Sequence, residues 1–330
     1  MKGVTYTLLA SMLLCGSMVY AQTPSVSTAV PQIFAPGVIS GPAGEDSAAF
    51  SPDGKTVYFD RGAGQNQMIL VSHQVNGQWS TPQIAPFSGQ WLDHDPAMSP
   101  DGSFLVFTSN RPDRAGGKAL DAVMPDGKIS VGWGGHLWRV DRQGDGWGVP
   151  VRLPDAVNSS TRTYSPSIAA DGSVYFQRPD TTPGVASPGF RLFRSAYRDG
   201  AYQAPVALKL GTPDSHELDP AIAPDESFIV FDANYADKRS PDHLYIAFRE
   251  GDHWSTPVDL GDEVDKGGPW GAHLGPDHRS VYFSSPRSNK VSFPRTREQA
   301  SQDRARMEAW DNGNDNIWFI SLAPWLDARR

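Results

Sequence analysis

Cysteine is nearly absent from the 330-residue sequence, where Cys15 is the only one. Cys15 lies in an apolar N-terminal stretch, so the rest of the chain has no thiol to form a disulfide or a thiolate metal site. Long apolar runs are also scarce, and the run near residues 6–19 is shorter than the roughly 20 residues that a membrane-spanning helix needs. Basic runs are missing except near residues 295–306, and the net charge is −8, which argues against a nucleic-acid partner.

The N-terminus has the pattern of a secretory signal peptide. Lys2 precedes the apolar run, and Val19, Tyr20 and Ala21 form a small-residue cleavage site. We therefore expect a signal peptide over 1–21, a flexible segment over 22–29, and a periplasmic or secreted protein with no integral membrane segment after cleavage. Lipidation at Cys15 stays open.

What the sequence does contain is a fivefold repeat. Each copy has an apolar strand, a turn with Asp at its centre, and a β-branched or aromatic strand. Proline presets the first turn position, and Asp and Gly suit the following ones, so each copy predicts an antiparallel hairpin. The turns lie at 51–54, 99–102, 169–172, 223–226 and 275–278.

A third strand follows each hairpin, and in four copies an aromatic residue three positions before a proline introduces a fourth. Proline cannot donate to a strand ladder, so the fourth strand is predicted at the outer edge. The fifth copy lacks this strand, but residues 31–33 resemble it. The sequence thus predicts an all-β, five-bladed β-propeller of four-stranded antiparallel blades, closed by an N-terminal strand joining the C-terminal blade.

The expected domain covers residues 30–324, followed by a tail over 325–330. Its repeats lie near 45–85, 93–154, 163–209, 217–261 and 269–322, the last completed by 30–35. A six-bladed ring is the alternative, because the turn-like residues 124–127 fall in an unusually long gap between the second and third copies. An insertion is the preferred interpretation, since that gap has no second aromatic strand.

The Pro-Asp-Gly turn followed by Val-Tyr-Phe, as at 52–54 and 57–59, resembles the WD40-like repeat of TolB-like periplasmic propellers. The resemblance covers nearly all of the chain after residue 21 and implies the fold. It implies little about activity, because propellers carry many unrelated functions. Some propeller lyases that act on uronic-acid oligosaccharides are similar at the fold level and use channel histidines with a metal.

The long connections are expected on one face of the ring, which we call the long-loop face. Connections from second to third strands and between blades share that face, and they include the insertions 110–135, 178–189, 233–242 and 284–314. Long loops on a rigid scaffold are where binding sites tend to lie.

Candidate functional residues precede the innermost strands, at the channel mouth on the long-loop face. Carboxylates there could bind a divalent cation, a sugar or an amine, or act as acid and base; they could instead hydrogen-bond backbone amides of neighbouring blades. The catalytic candidates are Asp46, Asp95, Glu217 and Asp219. The binding candidates are Trp91, His94, Trp133, Trp270 and Trp310, and the metal-ligand candidates are His94 and His273.

These observations favour a non-catalytic binding propeller that recognises a protein, peptide or glycan through its long-loop face. The alternative is a metal-assisted carbohydrate lyase or glycoside hydrolase at the channel mouth. No cofactor is assured beyond a possible divalent cation. A helix after Thr296 is predicted either to pack on the rim or to cap the opening.

Overall fold

The protein is described here from a computed structural model, over residues 30–180, 189–211, 216–235, 242–287 and 291–329. The expected signal peptide at 1–21 and the segment 22–29 lie outside these residues. Five antiparallel sheets form five blades, and each innermost strand contacts the innermost strands of the blades on both sides. The predicted five-bladed propeller is confirmed.

Each blade has four main strands, which pair in chain order from the channel outwards except for the N-terminal strand at the outer edge of blade 5. The innermost strands are Glu45–Phe50, Asp93–Met98, Tyr164–Ile168, Glu217–Ile222 and Trp270–Leu274. The second strands are Thr56–Ala63, Phe104–Ser109, Val174–Pro179, Phe228–Ala233 and Ser280–Ser285. The third strands are Asn66–Val75, His136–Gln143, Phe190–Ser195, His243–Glu250 and Asn316–Ser321. The outermost strands are Gln83–Ile84, Val151–Arg152, Val206–Ala207 and Val258–Asp259 in blades 1 to 4, and Gln32–Ile33 in blade 5.

Short strands extend the outer edge before each proline. Three of them pair with the end of a third strand, and the fourth pairs with Tyr197–Arg198. They are Gln78–Trp79, Gly146–Trp147, His253–Trp254 and Ala201–Tyr202 respectively. Their aromatic side chains pack between blades, as in Trp147, whose Nε1 donates to the Tyr58 hydroxyl of blade 1 at 2.9 Å.

The ring closes through the N-terminal strand, as the displaced repeat predicts. Gln32 lies opposite Phe319 and Ile33 opposite Trp318 in an antiparallel pair. The next residue, Phe34, donates its backbone N–H to Ile317 at 2.9 Å. Blade 5 is therefore completed by residues from both ends of the propeller.

The hydrophobic core is divided among the interfaces between blades. Five clusters of buried side chains each combine residues from two neighbouring blades, and one of them joins blade 5 to blade 1. The phenylalanine of each second strand is almost fully buried in these layers; these residues are Phe59, Phe107, Phe176, Phe231 and Phe283. The β-branched and aromatic second strands of the repeat thus supply the contacts between sheets.

The insertion 110–135 is not a sixth blade. It contains a two-stranded hairpin, Ala122–Val123 with Ile129–Ser130, whose turn falls at the expected residues 124–127. Asn110 and Asp121 fold it back, because Asn110 Nδ2 donates to the Gly132 carbonyl and Asp121 Oδ1 accepts from the Gly132 N–H, both at 2.8 Å. Five blades with one elaborated connection therefore account for the long gap in the repeats.

Within the described ranges, three helices accompany the strands: Asp262–Asp265, Arg297–Arg306 and Ala323–Asp327. Thr296 caps the second one in the predicted capping box with Gln299, and none of that helix's residues is buried. The third occupies part of the expected tail 325–330 and buries Trp325 in the cluster between blades 4 and 5. Among the described residues, no helix has the length and apolar character to span a membrane.

Candidate functional site

A backbone kink recurs in all five innermost strands. One residue near the start of each strand has a positive φ, and the strand's pairing register shifts there. Left-handed backbone is costly for most residues, less so for Asp and least for Gly. The kinked residues are Ser47, Asp95, Ser165, Asp219 and Gly271. The bulge bends each strand at the channel mouth on the long-loop face, as bulges near functional sites often do.

A buried polar layer lies behind the kinks. It consists of the residue after each second-strand phenylalanine: Asp60, Thr108, Gln177, Asp232 and Ser284. Several of these side chains accept the backbone N–H of the kinked residue in the next blade. Asp60 Oδ2 accepts from Asp95 at 2.7 Å, and Gln177 Oε1 accepts from Asp219 at 2.7 Å. The layer therefore fixes the kinks by joining neighbouring blades.

Asp95 and Asp219 also hydrogen-bond backbone amides of neighbouring blades, which is the structural role that the sequence predicts as the alternative to a functional one. The backbone N–H of Ser165 donates to Asp95 Oδ2 at 3.0 Å, and that of Gly271 donates to Asp219 Oδ2 at 3.0 Å. Both acceptors lie one blade before their donors. Each carboxylate thus joins two blades and also lines the cavity that the kinks surround.

That cavity has a volume of about 260 Å³ and receives side chains from every blade. Three aromatic rings, three carboxylates, one imidazole and two amides line it. The lining residues are Asp46, Gln67, His94, Asp95, Trp133, Tyr164, Ser165, Gln177, Asp219 and Trp270. Six of them are residues that the sequence predicts to catalyse or bind a ligand: Asp46, His94, Asp95, Trp133, Asp219 and Trp270.

The aromatic walls are held by hydrogen bonds and close packing. The Tyr164 hydroxyl donates to the Trp133 carbonyl at 2.9 Å, which ties the insertion 110–135 to blade 3. Gly135 lies against the Tyr164 ring, and a Cβ there would come within 2.2 Å of it. Trp270 Nε1 donates to Asp315 Oδ1 at 3.2 Å. These contacts orient the rings before any ligand is present.

Two buried carboxyl groups lie side by side, and that of Asp46 lines the cavity. Asp46 and Asp60 lie opposite each other on paired strands of blade 1. Burial raises the pKa of Asp46 to about 6 and that of Asp60 well above its ordinary value, in the latter case with the charge of Asp46 adding to the effect. The pair therefore retains a proton under conditions in which an exposed aspartate would lose it.

His94 and Asp95 form an ion pair beside those carboxylates, with His94 Nδ1 3.0 Å from Asp95 Oδ2. Burial opposes ionisation of Asp95, but the charge and hydrogen bond of His94 outweigh it and hold the pKa of Asp95 well below its usual range. Burial likewise lowers the pKa of His94, and the Asp95 charge more than compensates and raises it. The cavity thus places an ionised carboxylate next to protonated groups.

A metal ion could be held by three of these residues. Ligand atoms of Asp60, His94 and Asp95 lie within 4.8 Å of one another, and Asp60 Oδ1 is buried with no hydrogen-bond partner. The prediction for His94 is consistent with this group, whereas His273 lies outside it. His273 lines a narrower part of the channel towards the Pro-Asp turns, where burial lowers its pKa to about 4.

Three other predicted residues lie away from the central cavity. Glu217 is buried against the guanidinium of Arg191, with 3.1 Å between Oε2 and Nη1. Trp91 lines a separate cavity of about 470 Å³ beside the insertion 110–135. Trp310 packs edge-on against Trp318 with ring centroids 6.0 Å apart, as expected for packing on the rim.

The sequence analysis missed Gln67, Gln177 and the buried acids Asp60 and Asp232. A signal for three of these was available: each second strand has a polar residue immediately after its buried phenylalanine. A polar side chain at the same position of five apolar strands indicates a shared buried layer. Gln67 has no counterpart of this kind.

No protein-family model matches the chain, and no curated protein matches it. The similar solved structures include TolB from Acinetobacter baumannii, at 16% identity and a TM-score of 0.46 over 74% of this chain. The chain spans 49% of the length of that TolB. A putative TolB from Agrobacterium tumefaciens is 15% identical, with a TM-score of 0.40 over 85% of this chain and 91% of its own.

An α-L-arabinofuranosidase from Lactobacillus brevis is 10% identical, with a TM-score of 0.50 over 86% of this chain and 91% of its own. Identities this low bear on the fold alone. The propeller fold that the TolB-like resemblance of the repeats implies is confirmed by the five blades of the structure itself. Activity must be argued from the cavity itself.

Proposed function

We propose that this chain is an exported binding propeller that holds a carbohydrate in the central cavity of its long-loop face. The observation that carries the proposal is that one cavity collects Trp133, Tyr164 and Trp270 together with the carboxylates of Asp46, Asp95 and Asp219. Export rests on the N-terminal pattern at 1–21, and a periplasmic or secreted location follows from it.

The lining suits a sugar chemically. Aromatic faces pack against the apolar C–H surface of a pyranose ring, and carboxylate and amide oxygens accept hydrogen bonds from its hydroxyl groups. The cavity, at about 260 Å³, is smaller than the roughly 300–1,000 Å³ of sites for drug-sized ligands. A single sugar residue or the end of a chain therefore fits better than the middle of a long polymer.

Calorimetric titration of the secreted protein with a panel of neutral, amino and uronic-acid sugars tests this proposal. Trp133→Ala and Trp270→Ala are expected to weaken binding about 2- to 10-fold each, because aromatic contacts of this kind contribute about 0.5–1.5 kcal/mol. Trp91→Ala is the matched control, since Trp91 lines a different cavity. If the protein binds no sugar, or binds a peptide through surfaces insensitive to these variants, the carbohydrate proposal is wrong.

The His94–Asp95 pair and Asp46 favour a second candidate, a metal-assisted carbohydrate lyase or glycoside hydrolase. Asp46 retains a proton up to about pH 6 and would act as the general acid, next to the ionised carboxylate of Asp95. Two carboxyl groups with different pKa values in one cavity are a typical arrangement for acid–base catalysis. Asp60, His94 and Asp95 would hold the metal ion, whose positive charge would stabilise developing negative charge on the sugar.

Incubation with uronic-acid and arabinose-containing polysaccharides, in buffers with and without divalent ions, tests the second candidate. Product release is expected to fall at least 100-fold in His94→Gln and in Asp46→Asn, while circular dichroism shows both variants folded. A wild-type protein that binds these polymers but leaves them intact would retain the binding function and eliminate the enzymatic one.

A further inference from the structure

A second group of metal-ligating side chains lies on blade 4, outside the central cavity. His243 begins the third strand, Asp259 ends the outermost strand, and Asp265 belongs to the helix Asp262–Asp265. His243 Nδ1 is 3.0 Å from Asp259 Oδ2 and 3.2 Å from Asp265 Oδ2. Three elements that are separate in the sequence therefore direct one ligand atom each to a common point.

Both carboxylates are anchored by backbone amides through their other oxygen. Gly261 N–H donates to Asp259 Oδ1 at 2.6 Å, and Leu244 N–H donates to Asp265 Oδ1 at 3.1 Å. Each anchor fixes its carboxylate and leaves Oδ2 directed at His243. Hydrogen bonds of this kind orient metal ligands and maintain their geometry before the ion binds.

The single proton on His243 Nδ1 cannot satisfy both carboxylates. An imidazole Nδ1 carries at most one hydrogen, so it can donate fully to only one of two carboxylates. Asp265 Oδ2 is buried without a hydrogen-bond partner, and only 6% of that side chain is exposed. An added cation would relieve this unfavourable arrangement.

We propose that His243 Nδ1, Asp259 Oδ2 and Asp265 Oδ2 bind one divalent transition-metal ion of the zinc or manganese type. Metal–ligand bonds of about 2.0–2.2 Å place neighbouring ligand atoms roughly 2.8–3.6 Å apart in octahedral or tetrahedral geometry. The distances of 3.0 and 3.2 Å lie in that range. An imidazole combined with carboxylates favours these ions over calcium, which takes six to eight oxygen ligands.

The site is open enough to accept the ion together with water. The side chains of His243 and Asp259 are 34% and 40% exposed, so solvent can supply the remaining ligands. The bound ion fastens the third and outermost strands of blade 4 to the connection that leads into blade 5. It stabilises the folded state, because the unfolded chain does not hold the three ligands together.

Metal-stripped full-length protein, titrated with ZnCl₂ at pH 7.5 by calorimetry, tests the site, with the melting temperature followed in parallel. Zn²⁺ is expected to raise the melting temperature of the wild type. His243→Ala and Asp259→Asn should each weaken binding at least 10-fold and remove most of that rise. Repeating the titration with His94→Ala separates this site from the Asp60, His94 and Asp95 group, and binding at blade 4 should persist in that variant.

His253→Ala is the matched control. His253 is another blade 4 histidine with acidic neighbours, but it is 3.4 Å from Asp252 and 3.7 Å from Glu250 and is largely exposed. Its removal should leave Zn²⁺ affinity unchanged. The proposal is overturned if the wild type does not bind Zn²⁺, or if Asp259→Asn binds it as tightly as the wild type. If His243→Ala does not fold, the Zn²⁺ affinity of Asp259→Asn alone tests the proposed site.

Discussion

At the residue scale, the turn between the first two strands of each blade depends on one left-handed position. Glycine occupies it in blades 1 to 3, whereas Glu226 and His278 adopt φ values of 57° and 51° in blades 4 and 5. A non-glycine residue in this conformation destabilises the folded state by about 1–2 kcal/mol. Replacing it with glycine removes that strain, but part of the gain is offset because glycine has more conformational freedom in the unfolded chain. His278→Gly is therefore expected to stabilise the protein by about 0.5–1 kcal/mol in urea unfolding.

Glu226→Gly is the matched comparison, because Glu226 does more than occupy its turn. It accepts hydrogen bonds from the Tyr175 hydroxyl at 2.8 Å and from Arg194 at 2.6 Å. Removing these contacts should cancel the backbone gain or reverse it. Equal stabilisation by both glycine variants would show that the two contacts contribute nothing measurable.

Residue by residue, the sequence predicts cavity-lining groups best where the repeat itself marks a position. Asp46, His94, Asp95 and Asp219 all precede or occupy the start of an innermost strand, and all four line the cavity. Glu217 belongs to the same segment but pairs with Arg191. The sequence could not distinguish it, because the direction of a side chain beside a bulge depends on a backbone kink that only the folded structure reveals.

At the scale of elements, closure of the ring depends on the aromatic side chain that follows the N-terminal strand. The Phe34 ring meets those of Phe50, Trp79 and Tyr282 edge-on, with centroids 5.2 to 5.6 Å apart. Phe34→Ala should lower the free energy of unfolding by about 3–5 kcal/mol, since it removes a buried ring where two blades meet. Urea denaturation followed by tryptophan fluorescence measures this loss.

Ile84→Ala provides the control for that experiment. Ile84 has the equivalent place to Ile33 in the outermost strand of blade 1, and it is 53% exposed. Its truncation is expected to cost less than about 1 kcal/mol. If Phe34→Ala costs no more than Ile84→Ala, the N-terminal strand does not contribute to closure in the way described.

The number and order of the strands follow from the sequence because hairpin turns and aromatic strands are local patterns. The path of the insertion 110–135 does not. Its hairpin could be predicted from residues 124–127, but its return over the cavity depends on Asn110, Asp121 and the contact between Gly135 and Tyr164. These are contacts between blades or across a loop, and no local pattern encodes them.

At the scale of the whole molecule, the buried acids make stability depend on pH. An acid with a raised pKa binds its proton more tightly in the folded protein than in the unfolded chain, so its contribution to stability falls as pH rises. For Asp46 this occurs between about pH 4 and 6. Asp46→Asn should therefore stabilise the protein by about 1–2 kcal/mol at pH 7.5 and change it less at pH 4.

His273 acts in the opposite direction. Burial lowers its pKa to about 4, so the unfolded chain binds the proton first and stability falls as pH drops below about 6.5. Comparing wild type and Asp46→Asn at each pH removes this common contribution. Asp93→Asn is the control: Asp93 pairs with Arg111 at 2.7 Å, and its neutralisation should destabilise the protein at both pH values. The interpretation is contradicted if the difference in stability between Asp46→Asn and wild type is the same at pH 4 and at pH 7.5.

The strand that completes blade 5 also constrains the order in which the molecule can fold. Near this strand pairing, the Ser40 hydroxyl donates a hydrogen bond to the Ile317 carbonyl, and these two residues are 277 positions apart in the sequence. The other strand pairs of each blade join segments that are close in the sequence. Closing so long a loop is slow, although its entropic cost grows only logarithmically with length. Blades 1 to 4 can therefore form while the ring is open, with an unpaired strand edge on blade 5 and an uncovered apolar face on blade 1. A circular permutant that carries Gln32–Ile33 after Ser321 would make closure a local event and shorten the lifetime of that open state.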